Sequence, residues 1–346
     1  MLLSILLPLP LAGPYDYRAD VDLRLERGDF VIVPLGSREV TGVVWGEGSG
    51  DVGTGKLRDV VARLDAPALP VVLCRFIDWV AQYTMAPPGA VLAMAMRAPA
   101  ALEPPRGLAA WRRSENAPLL AALRLTAERQ RVLDVLADGP PRPTAELARE
   151  AGVGVGVVKS LAAAGALVAI ELPPPAAFEA PDPECAGPTL SAAQANAAAT
   201  LSKKVRDGGF AVTALDGVTG AGKTEVYFEA IAQALRDGRQ ALVLLPEIAL
   251  GAQWLDRFTT RFGVAPAQWH SDLTAAERRV AWRAVAFGEA RVVVGARSAL
   301  FLPFPDLGLI VVDEEHVCEL GVYRAVPDEA HRAMVICAIP FRVASP

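Results

Sequence analysis

Residues 217–224 read Gly-Val-Thr-Gly-Ala-Gly-Lys-Thr and match the phosphate-loop pattern G-x-x-x-x-G-K-S/T at every fixed position. Glycines let backbone N–H groups wrap around phosphates, while the lysine reaches the β- and γ-phosphates and the threonine hydroxyl ligates Mg²⁺. The motif lies between a strand predicted over 211–215 and a helix predicted over 225–235, as this chemistry requires, although a bare glycine turn is the alternative. The predicted nucleotide-binding residues are Gly217, Val218, Thr219, Gly220, Ala221, Gly222, Lys223 and Thr224.

Short apolar strands alternate with helices on the C-terminal side of this loop. We predict strands over 241–245, 291–294 and 309–312, and a helix over 252–262. Such alternation is typical of a parallel sheet covered by helices on both faces, so residues 189–316 are predicted to form an α/β lobe.

The last predicted strand ends in the acidic run Asp313-Glu314-Glu315-His316. Ligands bind at the carboxyl edge of a parallel sheet, so Asp313 is placed to hold Mg²⁺ and Glu314 to polarise an attacking water. A solvated acidic turn is the alternative. We predict Lys223, Asp313 and Glu314 as catalytic residues, with Thr224 and Asp313 as ligands of nucleotide-bound Mg²⁺. Together with the phosphate loop, this pattern indicates a nucleoside triphosphatase.

Two further regions precede the α/β lobe. Residues 1–97 are predicted to form a small β-rich domain with short strands and one helix, over 4–7, 29–34, 40–45 and 71–82. Its apolar start is interpreted as an edge strand and not as a signal peptide, because it lacks a basic segment and contains two prolines. Residues 98–118 are predicted to be a linker.

Residues 119–175 combine helical segments with one strand. Thr126 is predicted to cap a first helix, and two further helices, over 144–151 and 157–164, flank a turn at Gly152. With a strand over 167–172, this order predicts a winged-helix domain, for which an ordinary helical hairpin is the alternative. Residues 176–188 are predicted to be a second linker.

Composition excludes several classes of protein. The chain has 346 residues, enough for two or three domains, and its 34 Lys+Arg against 39 Asp+Glu exclude a uniformly basic nucleic-acid binder but not a local basic groove. Its four cysteines lie far apart without a C-x-x-C pair, so neither a disulfide scaffold nor a zinc site is predicted. No apolar stretch is long enough to predict a membrane span, and we expect a cytoplasmic protein.

The motifs together resemble one family, the primosomal protein N′ family, which comprises the superfamily 2 DNA helicases of bacterial replication restart. The resemblance covers residues 3–316, in matching order and spacing. It is carried by residues 217–227, 246–250 (Pro-Glu-Ile-Ala-Leu), 270–271, 295–301 (Gly-Ala-Arg-Ser-Ala-Leu-Phe) and 313–316. It implies that residues 189–316 are a RecA-like helicase lobe that binds ATP, preceded by a domain that binds DNA 3′ ends and by the winged-helix domain.

The resemblance also implies roles for individual residues. Gln194 is expected to contact the adenine, although a plain helix-start glutamine is the alternative. Arg297 and Ser298 are expected to face a single DNA strand, with a surface salt bridge as the alternative for the arginine.

In the N-terminal domain, the resemblance implies a pocket for a DNA 3′ end. Asp16 is expected to accept a hydrogen bond from the terminal hydroxyl and a neighbouring tyrosine to stack on the last base. Gly36 permits close backbone approach and Arg58 neutralises a phosphate. The predicted pocket residues are Tyr15, Asp16, Tyr17, Gly36 and Arg58.

The resemblance ends after His316. The family's next segment, its zinc-binding cysteine cluster and its second motor lobe with an arginine finger are not recognised in this sequence, and residues 317–346 are interpreted as an atypical tail of a truncated reading frame. Zinc is therefore expected only in the full family protein.

We expect a replication restart protein that binds ATP, Mg²⁺ and stalled or abandoned forks and helps to reassemble the primosome, without unwinding DNA alone, although the family activity is ATP-dependent 3′–5′ helicase. Expected partners are forked and single-stranded DNA, other primosome proteins and single-strand-binding protein, at the nucleoid and not at a membrane. A non-catalytic fork-binding or loading module and a degraded gene product are the alternatives.

Overall fold

The structure is a computed structural model. It describes residues 1–50, 57–103, 107–116, 125–137, 139–172, 176–217, 220–245 and 252–313, and the backbone of 334–340. The chain divides into two compact units, one formed by Met1–Pro104 with Ala176–Pro346 and the other by Pro105–Pro175. Among the described residues, no helix has the length and apolar character needed to span a bilayer.

The first unit begins with a six-stranded sheet of order β5-β2-β1-β4-β3-β6. Its strands are β1 (Leu2–Leu6), β2 (Tyr15–Arg18), β3 (Phe30–Leu35), β4 (Arg38–Glu47), β5 (Arg58–Asp59) and β6 (Ala62–Arg63). The pairings are antiparallel apart from that of β2 with β5. Gly36, with φ +65°, occupies the two-residue hairpin between β3 and β4, where a positive φ matches the twist of the strands.

Two helices follow this sheet, α1 (Val71–Thr84) and α2 (Pro88–Ala95). Helix α1 buries Leu73, Cys74, Ile77 and Ala81, which recur at helical spacing and therefore form one apolar face. The strands and helix predicted for this domain are confirmed.

The second unit contains three helices and a three-stranded antiparallel sheet of order β8-β7-β9. The helices are α3 (Ala127–Val135), α4 (Thr144–Glu150) and α5 (Val155–Ala163), and the strands are β7 (Leu108–Arg113), β8 (Arg142–Pro143) and β9 (Leu167–Leu172). Thr126 caps α3 by accepting from the N–H of Arg129, as predicted, and β9 has the predicted bounds. The winged-helix assignment stays a prediction.

Strand β7 lies inside the stretch that the sequence predicts as a linker, residues 98–118. It pairs with β9 over six residues and is the middle strand of the sheet. Its sequence, Leu-Ala-Ala-Trp-Arg-Arg, lacks the alternation of polar and apolar residues by which a strand is recognised. Pairing with a strand about 60 residues later makes it a strand, and composition alone could not reveal that pairing.

The α/β lobe has a six-stranded sheet, in which every pairing is parallel, of order β10-β15-β14-β11-β13-β12. The strands are β10 (Ala211–Gly217), β11 (Gln240–Leu244), β12 (Ala267–Trp269), β13 (Val292–Gly295), β14 (Leu307–Asp313) and β15 (Met334–Pro340). The helices are α6 (Ala192–Asp207), α7 (Lys223–Arg236), α8 (Ala252–Phe262) and α9 (Ala275–Ala286). The predicted parallel-sheet lobe is confirmed.

Strand β15 belongs to residues 317–346, which the sequence analysis interprets as an atypical tail. Its backbone pairs with β10 on one side and β14 on the other, within the sheet of the lobe. Residues 334–340 form a short apolar run, and the sequence on either side lacks the helical pattern by which a further strand–helix unit is recognised.

The N-terminal sheet and the α/β lobe share one hydrophobic core. The ring of Trp282 in α9 contacts Phe30 of β3 edge-on at 6.1 Å between centroids, and its indole N–H donates to the carbonyl of Ala95 at 2.9 Å. Arg283 donates to the carbonyl of Ala101 at 2.6 Å, within a 3₁₀ turn over Pro99–Leu102. The start of the predicted linker is therefore packed against the lobe.

Candidate functional site

The phosphate loop connects β10 to α7 at the carboxyl edge of the sheet. Strand β10 ends at Gly217, and Gly222, with φ +76°, directly precedes the first residue of α7, Lys223. The positive φ favours glycine there, and a β-carbon would lie 2.6 Å from Nε2 of Gln194, so any other residue would also displace that side-chain amide. Val218 and Thr219 lie outside the described residues.

Lys223 lies across the mouth of the loop. Its ammonium Nζ donates to the carbonyl of Gly217 at 2.9 Å, and its side chain is half-buried. The N-terminal end of a 14-residue helix carries partial positive charge, so the lysine and the helix end present positive potential at the same place. This arrangement suits an anion such as a phosphate group.

Gln194 lies beside the loop, at the start of α6. Its Oε1 accepts from the N–H of Ser191 at 2.8 Å, its own N–H donates to Oγ of Ser191, and its Nε2 donates to the carbonyl of Ala221 at 2.8 Å. The amide therefore connects the capping box of α6 to the phosphate loop. The expected contact with adenine stays a prediction.

Asp313 ends β14 at the same edge of the sheet and is 6% exposed. The phenol of Tyr227 donates to its Oδ2 at 2.7 Å, and the indole N–H of Trp254 donates to the phenol oxygen at 2.7 Å. The side chain of Thr224 also hydrogen-bonds that phenol. The two predicted Mg²⁺ ligands, from α7 and β14, thus contact the same hydroxyl group.

Burial, followed by the charge and hydrogen bond of Asp313, raises the pKa of Tyr227 well above its usual value, against the opposing effect of the bonds from Trp254 and Thr224. Sequence reasoning gave Tyr227 and Trp254 no role. The available signal was the spacing of three residues between Thr224 and Tyr227, which places both on one face of α7. Glu314, the predicted base, lies outside the described residues.

The donor set fits Mg²⁺. This cation takes oxygen ligands, usually one or two from the protein alongside phosphate oxygens, and the hydroxyl of Thr224 and the carboxylate of Asp313 are of this type. Among the described residues, no group of three or more His, Cys, Asp or Glu side chains lies close enough to hold a metal ion.

Burial raises the pKa of the Cys74 thiol to about 11.

The predicted 3′-end residues are distributed over neighbouring strands of the N-terminal sheet. The carboxylate of Asp16, on β2, accepts from the N–H of Ser49 at 3.1 Å, from its hydroxyl at 3.0 Å and from the N–H of Gly50 at 2.9 Å. Tyr15 is 44% exposed. Arg58 is exposed on β5, which pairs with β2.

Tyr17 and Gly36 complete this set. Tyr17 is 4% exposed and packs in the core, where its phenol donates to the carbonyl of Pro34 at 3.1 Å. Gly36, two residues beyond Pro34, has no atom within 4 Å of a β-carbon position. Tyr15, and not Tyr17, is therefore the exposed aromatic beside Asp16, and the backbone at Gly36 can be approached closely.

Arg297 and Ser298 begin a 3₁₀ turn over Arg297–Phe301, which follows the carboxyl end of β13. This turn lies on the same edge of the sheet as the phosphate loop, because all strands are parallel. Arg297 is exposed and Ser298 half-buried. Residues 246–250, which also carry the family resemblance, lie outside the described residues.

An aromatic row continues from this turn onto α1, which sequence reasoning did not identify. Phe301 contacts Phe76 at 5.3 Å, Phe76 stacks on Trp79 at 6.2 Å, and Trp79 stacks on Tyr83 at 5.0 Å. The planes in the last two pairs differ by 21° and 19°, and Tyr83 at the outer end is 62% exposed. The row therefore begins at the core and ends in solvent.

A phosphate loop and a buried acid at one edge of a parallel sheet are typical of nucleoside triphosphatases, and residues 191–336 match the DEAD/DEAH box helicase family. That family uses ATP and Mg²⁺. Residues 4–97 match the family described as the 3′DNA-binding domain (3′BD) of PriA. The chain is a relative of the PriA proteins over both regions.

Several PriA proteins show the extent of this similarity. The replication restart protein PriA of Rickettsia felis is 32% identical over 315 residues, covering 90% of this chain and 37% of that protein. For the Haemophilus influenzae PriA the identity is 31%, covering 91% of this chain and 44% of that protein. The Bacillus subtilis PriA is 51% identical over 102 residues, covering 30% of this chain and 13% of that protein. The chain thus spans under half the length of these relatives.

One solved structure, the helicase domain of Pyrococcus furiosus Hef, resembles the chain only distantly. It is 20% identical, with a TM-score of 0.32, and the similarity covers 43% of this chain and 33% of that one.

Proposed function

We propose that this chain binds ATP with Mg²⁺ in its helicase lobe, binds forked DNA carrying a free 3′ end, and acts in replication restart. Its partners are then forked and single-stranded DNA, other primosome proteins and single-strand-binding protein, in the cytoplasm at the nucleoid. The proposal rests on one observation. The phosphate loop and Asp313 lie at the same edge of the sheet, in the compact unit that also contains the 3′-end residues.

The nucleotide part of the proposal rests on charge and oxygen ligands at one sheet edge. Lys223 is within reach of any group bound at the mouth of the loop, and exchanging its bond to the Gly217 carbonyl for a phosphate gives a charge-assisted hydrogen bond. Thr224 and Asp313 would then hold the cation, which is supported by their shared contact with the hydroxyl of Tyr227. When bound, Mg²⁺ neutralises charge on the phosphates.

The DNA part of the proposal rests on Asp16 and its surroundings. A carboxylate has two oxygens with about four acceptor sites, so Asp16 can hold the Ser49–Gly50 turn and still accept from a 3′-hydroxyl. Tyr15 offers an exposed ring to the terminal base, and Arg58 a charge to a nearby phosphate.

The aromatic row supports binding of a single DNA strand beside the helicase lobe. Bases of a single strand stack on exposed aromatic rings without sequence preference. The row starts at the turn that carries Arg297 and ends at Tyr83 on the N-terminal domain. We assign to it contact with a single DNA strand bound beside Arg297.

The experiment that tests this function measures binding of both ligands by the purified chain. Nucleotide affinity is obtained by calorimetry with and without Mg²⁺, and fork affinity by fluorescence anisotropy with free or blocked 3′ ends. Tight binding of Mg²⁺–nucleotide and a preference for free 3′ ends are expected. Absence of nucleotide binding, or equal affinity for both forks, contradicts the corresponding part. ATP hydrolysis with and without fork DNA separates an ATPase from a loading module.

A further inference from the structure

The phenol of Tyr227 hydrogen-bonds three side chains, which come from two helices and one strand of the lobe. Tyr227 is fully buried on α7, three residues after Thr224. Asp313 comes from β14, 86 residues away along the chain, and Trp254 from α8. A buried phenol usually satisfies its hydroxyl with one partner, whereas this one has three.

The chemistry of the donors fixes the direction of each bond. An indole N–H can only donate, and an ionised carboxylate can only accept. The phenol therefore accepts from Trp254 and gives its own hydrogen to Asp313, which leaves the remaining lone pair to accept from the hydroxyl of Thr224. Because the hydroxyl hydrogen of Thr224 points at Tyr227, the lone pairs of the Thr224 oxygen lie on the side away from Tyr227.

We propose that Tyr227 is a positioning residue for the magnesium site, because it orients the Thr224 hydroxyl and the Asp313 carboxylate toward a common point. This inference rests on the proposed nucleotide function. Groups that hydrogen-bond to metal ligands fix ligand orientation, and their loss commonly lowers metal affinity by about 10- to 100-fold. Trp254 positions the phenol itself: its ring stacks on Phe258 at 5.4 Å and meets Phe228 edge-on at 5.6 Å.

The decisive variant is Tyr227→Phe, which keeps the ring and removes only the hydroxyl. Binding of ADP is measured by calorimetry in Mg²⁺ and in EDTA, which separates the cation-dependent part of the affinity from the rest. We expect ADP affinity in EDTA to stay within about twofold of the wild type. The gain in affinity on adding Mg²⁺ should fall by about tenfold or more.

Trp282→Phe is the matched control, since it also deletes a buried hydrogen-bond donor of the same unit, but in a different hydrophobic cluster from the one that contains Tyr227. It should lower the melting temperature and leave the Mg²⁺ gain unchanged. If Tyr227→Phe does not fold, Trp254→Phe replaces it, because that variant keeps an aromatic ring in the cluster and removes the indole N–H that bonds the phenol. A smaller loss of the Mg²⁺ gain is then expected.

An unchanged Mg²⁺ gain in the folded variant overturns the positioning role. An equal loss in the Trp282→Phe control also overturns it, since the effect would then reflect general destabilisation. If the wild type binds ADP in neither condition, the proposed nucleotide function fails, and that result is distinguishable because it precedes any comparison of variants.

Discussion

The indole N–H of Trp282 donates to the backbone carbonyl of Ala95 at 2.9 Å and so connects the helicase lobe directly to the N-terminal domain. The ring of Trp282 is 1% exposed and belongs to the core that both regions share. The 3′-end residues and the nucleotide loop are therefore parts of one packed unit.

Replacing Trp282 by alanine should destabilise this unit strongly. A large ring lost from a packed core leaves a cavity and an unpaired carbonyl, and comparable substitutions reduce the free energy of unfolding by about 3–5 kcal/mol. Urea denaturation followed by circular dichroism measures the loss. Tyr83→Ala is the control, because its ring is mostly exposed and its stacking on Trp79 should contribute only about 0.5–1.5 kcal/mol. Equal losses in the two variants would contradict the shared core.

Asp16→Ala should abolish the preference for a free 3′ end. A hydrogen bond to a charged acceptor contributes about 1.5–3 kcal/mol, so fork affinity should fall roughly ten- to hundredfold, to the level of a blocked 3′ end. Anisotropy with both forks measures this. Asp20→Ala is a suitable control, since that carboxylate also holds a turn of the same domain. A variant that still distinguishes the two forks would refute the role of Asp16.

Lys223→Ala should weaken nucleotide binding by about ten- to hundredfold, because it removes a charge-assisted hydrogen bond to phosphate worth roughly 1.5–3 kcal/mol. Calorimetric titration with ADP and Mg²⁺ gives the affinity. Lys204→Ala is the matched control: this lysine belongs to the same lobe and bonds to Thr213 at 2.9 Å. Retention of full affinity by Lys223→Ala would be incompatible with the proposed nucleotide site.

Gly222→Ala and Gly288→Ala separate a clash from backbone strain. Both glycines have positive φ, +76° and +72°, which for alanine costs about 1–2 kcal/mol. Only at Gly222 would the new methyl group lie 2.6 Å from Gln194, whereas at Gly288 the nearest atom is 3.9 Å away. Gly288→Ala should therefore lower stability alone, and Gly222→Ala should also weaken ADP binding. Unaltered ADP binding by Gly222→Ala would show that the phosphate loop tolerates the added methyl group and the displacement of Gln194.

The stability of the wild type should decline at alkaline pH in a manner that depends on Tyr227. Burial and the neighbouring Asp313 raise the pKa of this phenol well above its unfolded value of about 10. The folded state thus favours the protonated phenol, and this contribution is complete below pH of about 10 and lost as the pH rises toward the folded pKa. Melting temperatures recorded between pH 7 and 11 should fall more steeply for the wild type than for Tyr227→Phe. An equal decline of the melting temperature with pH in the two proteins would contradict a contribution from Tyr227.

Local pattern predicted much of the lobe. Helix α8 and strand β14 could be placed from an amphipathic stripe and a β-branched run, and the phosphate loop from its glycines. The capping box of Thr274 and Glu277 at the start of α9 was an available signal that was not used. By contrast, the role of Tyr227 depends on Asp313 from a distant strand, and the identity of β7 depends on pairing with β9. Contacts between remote segments have no local signature, so sequence reasoning could not supply them.

The position of β15 has a consequence for how the polypeptide is made. Among the described strands, β10 is bonded only to β15, so the strand that leads into the phosphate loop has no neighbour in the sheet until residues 334–340 are available. During synthesis, when chains emerge at roughly 5–20 residues per second, β14, β11, β13 and β12 can associate earlier. We therefore expect β10, and with it the start of the phosphate loop, to join the sheet late, after β15 has emerged from the ribosome.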